Sequence, residues 1–181
     1  MKIEPFEYFD LTPPVSQQIP HQRPINHVAV TVPVDIEHVV SWYNKTVGFQ
    51  IINQITHIKR SEDPESPIFA IYGDTLKEVK VAYMATGNGT GFELFQFIDP
   101  APQKVATSFE YNRPGFFHVC VTDPQPSVLL DRIIAAGGSQ IGSTVGFPAL
   151  PGHLCLYARD PWGNVLEVLS LGFDRLASAI A

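Results

Sequence analysis

Two short stretches of the chain alternate apolar and polar side chains in the same order. Residues 25–31 read Ile-Asn-His-Val-Ala-Val-Thr, and residues 117–122 read Phe-His-Val-Cys-Val-Thr. A period of two residues is typical of a β-strand, in which successive side chains point to opposite faces. The stretches therefore predict two strands of one design, each presenting a histidine, His27 or His118. This repetition indicates a duplicated unit that builds one site between its halves.

Each predicted strand is followed by the same kinds of element. Apolar residues at helical spacing come next, between Ile36 and Val47 in the first copy and between Leu129 and Ala136 in the second. Strand patterns follow at residues 49–58, 68–72, 78–84 and 92–98 in the first copy, and near residue 140 and at 154–158 and 165–170 in the second. The first copy has one strand pattern more than the second, and otherwise each copy reads β-α-β-β-β, so the predicted fold class is α+β with paired βαβββ modules.

Prolines and changes of pattern divide the chain into five segments. The predicted segments are a proline-rich N-terminal arm at 1–24, a first βαβββ module at 25–98, a linker at 99–114, a second βαβββ module at 115–171 and a C-terminal tail at 172–181. Because proline interrupts regular helix, we expect no long helix in the arm or the linker.

Composition narrows the function classes. The 181 residues are 45% hydrophobic and carry a formal net charge of −6. Without a cluster of Lys or Arg, such a chain is not expected to bind nucleic acid or an anionic membrane. No apolar run is long enough to span a bilayer and the N-terminus does not read as a secretory signal, so we expect a cytoplasmic protein. Cys120 and Cys155 stand in apolar runs without CxxC spacing, which predicts two buried thiols.

A carboxylate interrupts the last apolar strand of each copy. Glu93 lies within Gly-Phe-Glu-Leu-Phe, and Glu167 within Val-Leu-Glu-Val-Leu. A charge in the core of a strand is costly unless it is paired or binds a metal. Together with His27 and His118, the two carboxylates make a mixed nitrogen and oxygen ligand set. Such a set suits one divalent transition metal ion, of Mn, Fe, Co, Ni or Zn.

Three motifs make the chain resemble the vicinal oxygen chelate superfamily, which includes glyoxalase I, extradiol dioxygenases and bleomycin resistance proteins. The motifs are Asn26-His27-Val28, the segment from Trp42-Tyr43 to Val47-Gly48-Phe49, and the segment from Asp160-Pro161-Trp162-Gly163-Asn164 to Leu166-Glu167. The resemblance covers about residues 25–171. It implies that the paired modules form a cupped, barrel-like sheet around a metal held by His27, Glu93, His118 and Glu167.

The resemblance also implies an activity. The four-ligand pattern is most similar to the glyoxalase I and epimerase side of the superfamily, which implies a metal-dependent lyase, isomerase or epimerase that acts through a metal-stabilised enolate. Glu93 or Glu167 is then the catalytic base. Members place the site either within one chain or across a two-fold dimer interface. We expect a homodimer that binds a small-molecule substrate.

The glutathione-binding residues of glyoxalase I are not matched. Those enzymes resemble one another in an Arg four residues after the first ligand and an Asn four residues after the first Glu; here Thr31 and Phe97 stand there. Counting alternate residues from each ligand gives a predicted substrate-binding wall of Thr31, Phe95, Phe97, Phe116, Cys120 and Leu169. Such a wall favours a small apolar carbonyl substrate, aromatic or polycyclic, over a zwitterionic tripeptide.

Three alternative functions stay open. A lactoylglutathione lyase would need another way to bind glutathione. An Fe(II) extradiol dioxygenase resembles a two-His-one-Glu site with three free positions, whereas a bound Glu93 would occupy one of them. A metal-free resistance protein that binds an aromatic drug would use the same cup, but such proteins generally do not keep the ligand positions.

Overall fold

The computed structural model describes residues 23–103 and 109–179. Most of the predicted arm, residues 1–22, and residues 104–108 of the predicted linker lie outside these ranges. The strands are β1 (His27–Thr31), β2 (Gln50–Ile51), β3 (Thr56–Lys59), β4 (Glu78–Ala85), β5 (Gly91–Asp99), β6 (Val119–Thr122), β7 (Ser139–Phe147), β8 (Leu150–Arg159) and β9 (Val165–Leu169). The helices are α1 (Ile36–Trp42), α2 (Pro67–Tyr72), α3 (Pro126–Ala135) and α4 (Phe173–Ala179). A π-helical turn, Tyr43–Val47, continues α1.

The described strands form two sheets of matching design. The first has the order β1-β5-β4-β2, with β3 also paired to β4, and the second has the order β6-β9-β8-β7. In each sheet the strand that comes first in the chain is paired in parallel with the strand that comes last, β1 with β5 and β6 with β9. The other pairs are antiparallel. This topology confirms the predicted α+β fold, although the two sheets do not close into a barrel within the described chain. The exact limits of the two modules stay a prediction.

One hydrophobic core lies between the two sheets and contains α1 and α3. Its buried members include Ile36, Val39, Val40, Leu129, Leu130 and Ile133 from the helices and Ala82, Met84, Phe92, Leu94, Leu156, Ala158, Leu166 and Val168 from the strands. Burial of each larger side chain in this list, from Val to Phe, stabilises the fold by about 1.5–3 kcal/mol. Glu93 and Glu167 each stand between two of these residues. Because side chains alternate along a strand, both carboxylates point away from the shared core.

Two hydrogen bonds join the halves across this core. The Trp42 indole donates to the Ala136 carbonyl at 2.8 Å, and the Tyr43 hydroxyl donates to Asp160 Oδ2 at 2.8 Å. Asp160 is buried, and its Oδ1 accepts from the backbone N–H groups of Trp162 and Asn164. Burial, and then the neighbouring Asp160 charge, raise the pKa of Tyr43 well above its ordinary value. Two of the three motifs that carry the family resemblance, those with Trp42-Tyr43 and with Asp160, therefore determine how the halves pack.

The structure corrects the prediction of a strand at residues 68–72, which form helix α2 instead. Pro67 occupies the first turn, where its missing N–H costs nothing, and Gly73, with φ of 74°, follows the last residue. A strand would bury alternate residues, whereas Phe69 alone is buried in this helix. It packs with Leu76 against β4. The β-branched residues of a short apolar run therefore indicated the wrong element.

Two further details differ from the sequence-based expectations. The strand expected from residue 115 begins only at Val119, and Gly115 itself has φ of 128°, outside the range of extended backbone. Of the two thiols expected to be buried, Cys155 is buried but Cys120 is exposed. Cys120 lies on the outward face of β6, the end strand of its sheet. Among the described segments, none of the helices is long and apolar enough to cross a bilayer.

Candidate metal centre

The first His/Glu pair lies on the outward face of the first sheet. In the parallel ladder of β1 and β5, His27 is opposite Gly91 and Ala29 is opposite Glu93. This register places the two side chains on one face, and His27 Nε2 lies 3.4 Å from Glu93 Oε2. The His27 side chain is 47% exposed and that of Glu93 is 21% exposed. The pair is therefore open to solvent.

The second pair has the same geometry on the second sheet. Cys120, two residues after His118, is opposite Glu167 in the parallel ladder of β6 and β9, just as Ala29 is opposite Glu93. His118 Nε2 lies 3.1 Å from Glu167 Oε2. This pair is less open, with 26% of the His118 side chain and 15% of the Glu167 side chain exposed. The duplication predicted from sequence therefore includes the position of the histidine relative to the glutamate in each pair.

Each pair has the chemistry and spacing of two neighbouring ligands of one metal ion. Two ligands at right angles, about 2.1 Å from an ion, are about 3.0 Å apart, and the two pairs span 3.4 and 3.1 Å. Within the described segments, however, no three His, Cys, Asp or Glu side chains come together in a group that could hold a metal. The two pairs lie on sheet faces that both point away from the shared core. Each His/Glu pair therefore fits half of a four-ligand site, here called a half-site.

The two histidines are supported differently. Nδ1 of His27 is 2.8 Å from Oδ1 of the preceding Asn26. Nδ1 of His118 is buried and has no hydrogen-bond partner among the residues that the structure describes. Its ring instead packs at nearly right angles against the rings of Phe117 and Tyr157, with centroids 4.6 and 5.4 Å away. A hydrogen bond orients the first ring, whereas aromatic packing orients the second.

The surroundings of Glu167 include three neutral donor groups. Cys155 Sγ donates to Glu167 Oε1 at 3.2 Å, while Cys120 and Tyr157 flank Glu167 on the neighbouring strands. Partial removal from water, followed by the charge and hydrogen bonding of Glu167, raises the pKa of Cys120, Cys155 and Tyr157 to about 12. All three groups therefore keep their protons at neutral pH. Cys155 donates a hydrogen bond to the carboxylate, and none of the three groups competes with it as an anion.

Sequence reasoning missed two side chains on these faces, Tyr83 and Arg159, and named Tyr157 only as a weaker candidate for a second acid or base. Tyr83 is opposite Glu93 and Tyr157 is opposite Glu167, so each tyrosine shares a face with a carboxylate. A signal was present, because each tyrosine precedes its glutamate by ten residues, 93 − 83 and 167 − 157. Arg159 is opposite Val165 and belongs to the same face as Glu167. It gave no comparable signal, since Ala85 is the matching residue of the first sheet.

The predicted substrate-binding residues are divided among three environments. Phe95 and Phe97 stack on each other, with centroids 5.7 Å apart, and pack against the cluster beneath α2. Leu169 is 2% exposed and packs with Leu176 of α4. Cys120 and Phe116 are exposed, and Phe116 precedes β6.

Thr31 and Phe97 also border an open cavity of about 460 Å³. Its other lining residues are Pro33, Pro100, Ala101, Pro102 and Gln103. Thr31 lies on the outward face of β1, at the opposite end of the strand from His27. The cavity thus continues the face that carries the first pair. It has a mainly apolar wall.

Comparisons with known proteins agree with this architecture. Residues 24–168 match the family model of the Glyoxalase/Bleomycin resistance protein/Dioxygenase superfamily. A glyoxalase family protein from Bacillus cereus has 16% identity and a TM-score of 0.67, over 87% of this chain and 97% of that chain. Glyoxalase I from Zea mays has 14% identity and a TM-score of 0.56, over 82% of this chain and 44% of that chain.

A third solved structure is a mutant of the fosfomycin resistance protein FosX from Listeria monocytogenes, in complex with Mn(II) and 1S,2S-dihydroxypropylphosphonic acid. It has 11% identity and a TM-score of 0.55, over 87% of this chain and 99% of that chain. No curated protein matches the sequence. At these identities the structural matches show a shared fold.

Proposed function

Since the chain belongs to the glyoxalase, bleomycin resistance protein and dioxygenase superfamily, we propose that it is a metal-dependent lyase, isomerase or epimerase of a small apolar carbonyl compound. The superfamily contains many metal-dependent enzymes but also proteins without enzymatic activity. One observation carries the proposal: a His/Glu pair with ligand spacing occurs at the same ladder position of both sheets. A binding protein without a metal has no need for this duplicated set.

In this proposal His27, Glu93, His118 and Glu167 hold one divalent transition metal, of Zn, Ni, Co, Mn or Fe. The Mn(II) in the FosX structure supports a metal in this fold. When bound, such an ion withdraws electron density from a substrate carbonyl and so makes the neighbouring C–H bond more acidic. Two imidazoles and two carboxylates leave an octahedral ion two positions for substrate oxygens.

A carboxylate of this set transfers the proton. Glu167 is held on both oxygens, by Cys155 at 3.2 Å and by His118 at 3.1 Å, whereas the only ion pair of Glu93 in the described structure is with His27, at 3.4 Å. A base must move between its resting position and the substrate. The looser contacts and greater exposure of Glu93 therefore support Glu93 as the base and Glu167 as the fixed ligand.

The complete site is formed by two copies of the chain. The pairs lie on opposite outward faces, and bringing them together in one chain would break the Trp42 and Tyr43 hydrogen bonds between the halves. Strands β1 and β6, which carry or follow the two histidines, are the end strands of their sheets and are available for pairing. Ile25 and Phe116, each two residues before a histidine, are large apolar side chains in solvent. A two-fold homodimer would cover them and join the half-sites.

The substrate is small and apolar. The cavity beside Thr31 and Phe97 has mostly proline and aromatic walls, which suit a hydrophobic or aromatic group better than a peptide with charged ends. Its volume of about 460 Å³ lies within the range of sites for small molecules. A reactive carbonyl near His27 and an apolar end near Phe97 would occupy one continuous face.

Two measurements test the proposal. The first is the metal content of protein purified without chelator, compared with His27→Ala and His118→Ala. We expect one transition metal per complete site, lost in both variants. The second is exchange of deuterium from D₂O into the carbon next to the carbonyl of aromatic ketones, followed by NMR. A wild type that takes up no metal on reconstitution and exchanges none of these compounds would instead indicate a binding protein.

A further inference from the structure

We propose that Asn26 is a positioning residue that holds His27 in the tautomer needed to bind a metal, and that no residue in the described segments does this for His118. The inference rests on the proposed metal site. It concerns the residues that make the two half-sites unequal. Its basis is the 2.8 Å contact between Asn26 Oδ1 and His27 Nδ1 in one half, and the buried, unpartnered Nδ1 of His118 in the other.

The Asn26 contact selects one form of the His27 ring. An amide oxygen only accepts hydrogen bonds, so the 2.8 Å contact with Asn26, which is shorter than the 3.4 Å from Nε2 to Glu93 Oε2, favours the hydrogen on Nδ1 of His27. In the neutral ring, Nε2 then has a free lone pair, and Nε2 is the atom that lies beside Glu93 Oε2. A polar group that fixes the tautomer and orientation of a histidine ligand increases the affinity of the metal site. Asn26 therefore holds His27 in the metal-binding tautomer before a metal is bound.

His118 has the opposite arrangement. Phe117 stands in the place of Asn26 and offers no side-chain acceptor, and Nδ1 is enclosed without a partner in the part of the chain that the structure describes. With its hydrogen on Nε2, the ring donates to Glu167 Oε2 at 3.1 Å. To bind a metal through Nε2, the ring must move this hydrogen to Nδ1, where a buried N–H group would lack an acceptor. In the second half-site the histidine must therefore change its tautomer before it can bind a metal, whereas in the first it need not.

The tautomers can be read without any metal. In metal-free wild type in alkaline buffer, ¹⁵N NMR of the imidazoles should show the hydrogen of His27 on Nδ1 and that of His118 on Nε2. Asn26→Leu should remove the preference at His27 and leave His118 unchanged, whereas Asn26→Asp, which keeps an oxygen acceptor, should preserve it. The hydrogen of His27 on Nε2 in the wild type would overturn the proposal. This result stands whether or not the protein is an enzyme.

Metal affinity gives the second readout, measured by competition with a chelator. Asn26→Leu should bind Zn²⁺ about 10-fold more weakly than wild type, and Asn26→Asp should retain wild-type affinity. Phe117→Asn introduces the missing acceptor and should strengthen binding if the variant keeps its cooperative thermal unfolding. Equal affinities of Asn26→Leu and wild type would overturn the positioning role. A wild type that binds no Zn²⁺, Mn²⁺ or Ni²⁺ would contradict the proposed function itself, while the NMR result still reports on Asn26.

Discussion

The two half-sites have the same backbone and different surroundings. In both, the residue two positions after the histidine is opposite the glutamate, and the nitrogen and oxygen lie 3.4 and 3.1 Å apart. The first pair is open and is supported by an asparagine. The second is more enclosed and is surrounded by aromatic rings and thiols. The ladder register thus determines where the donor atoms lie, while neighbouring side chains determine how freely each donor can move.

The largest expected effect separates the two carboxylates. Glu93→Gln should lower turnover about 10³-fold, because an amide cannot accept the substrate proton, and it should weaken metal binding less than Glu167→Gln does. Glu167→Gln should lose most of the bound metal, since the fixed ligand is then neutral. Steady-state kinetics and elemental analysis of both variants make the comparison. Equal losses of metal and of turnover in the two variants would contradict the division of roles.

The next largest effect is expected on stability, from the contacts between the halves that keep the two His/Glu pairs on opposite faces. Tyr43→Phe removes a buried hydrogen bond to the charged Asp160 and should lower the free energy of unfolding by about 1.5–3 kcal/mol. Tyr83→Phe is the control, because Tyr83 is 39% exposed, and it should change stability by less than about 0.5 kcal/mol. Urea denaturation measures both. A loss for Tyr43→Phe no larger than that of the control would show that this contact does not hold the halves together.

The smallest effect is expected from the thiols, which occur only in the second half. The pKa of each is raised to about 12, by partial desolvation and then by the neighbouring Glu167 carboxylate, so very little thiolate is present at neutral pH. Iodoacetamide should therefore alkylate the folded protein much more slowly than the urea-unfolded protein, and Cys120, the exposed thiol, should react before Cys155. Mass spectrometry of quenched samples follows both peptides. Equal rates in the folded and unfolded states would contradict the enclosed character of the second half-site.

Sequence alone was sufficient for the features that depend on local pattern. Alternation placed His27 and Glu93 on one face, and the repeat supplied the second pair. These predictions depend only on the period of a strand and the register of a parallel ladder. The substrate-binding wall was less accessible to such reasoning. Phe95 and Leu169 do lie on the faces expected, but α2 and α4 pack over them, and packing between distant elements leaves no periodic signal.

The relative orientation of the halves could not be predicted either. It depends on contacts between residues far apart in sequence, such as Trp42 with Ala136 and Tyr43 with Asp160. The same βαβββ units could instead have placed both pairs in one cup. Helix α2 shows a limit of local patterns as well. Its apolar run is too short for the periodicity to distinguish a helix from a strand, and its β-branched residues favour a strand.

The central claim, that one metal centre is shared between two chains, is tested most directly by mixing two inactive variants. One carries His27→Ala and Glu93→Ala, and the other carries His118→Ala and Glu167→Ala. After co-refolding at equal concentrations, half of the dimers are mixed and each mixed dimer contains one intact site. The account therefore predicts about a quarter of the wild-type content of tightly bound metal, with matching turnover. Two variants that bind no metal apart and none together would contradict a shared centre.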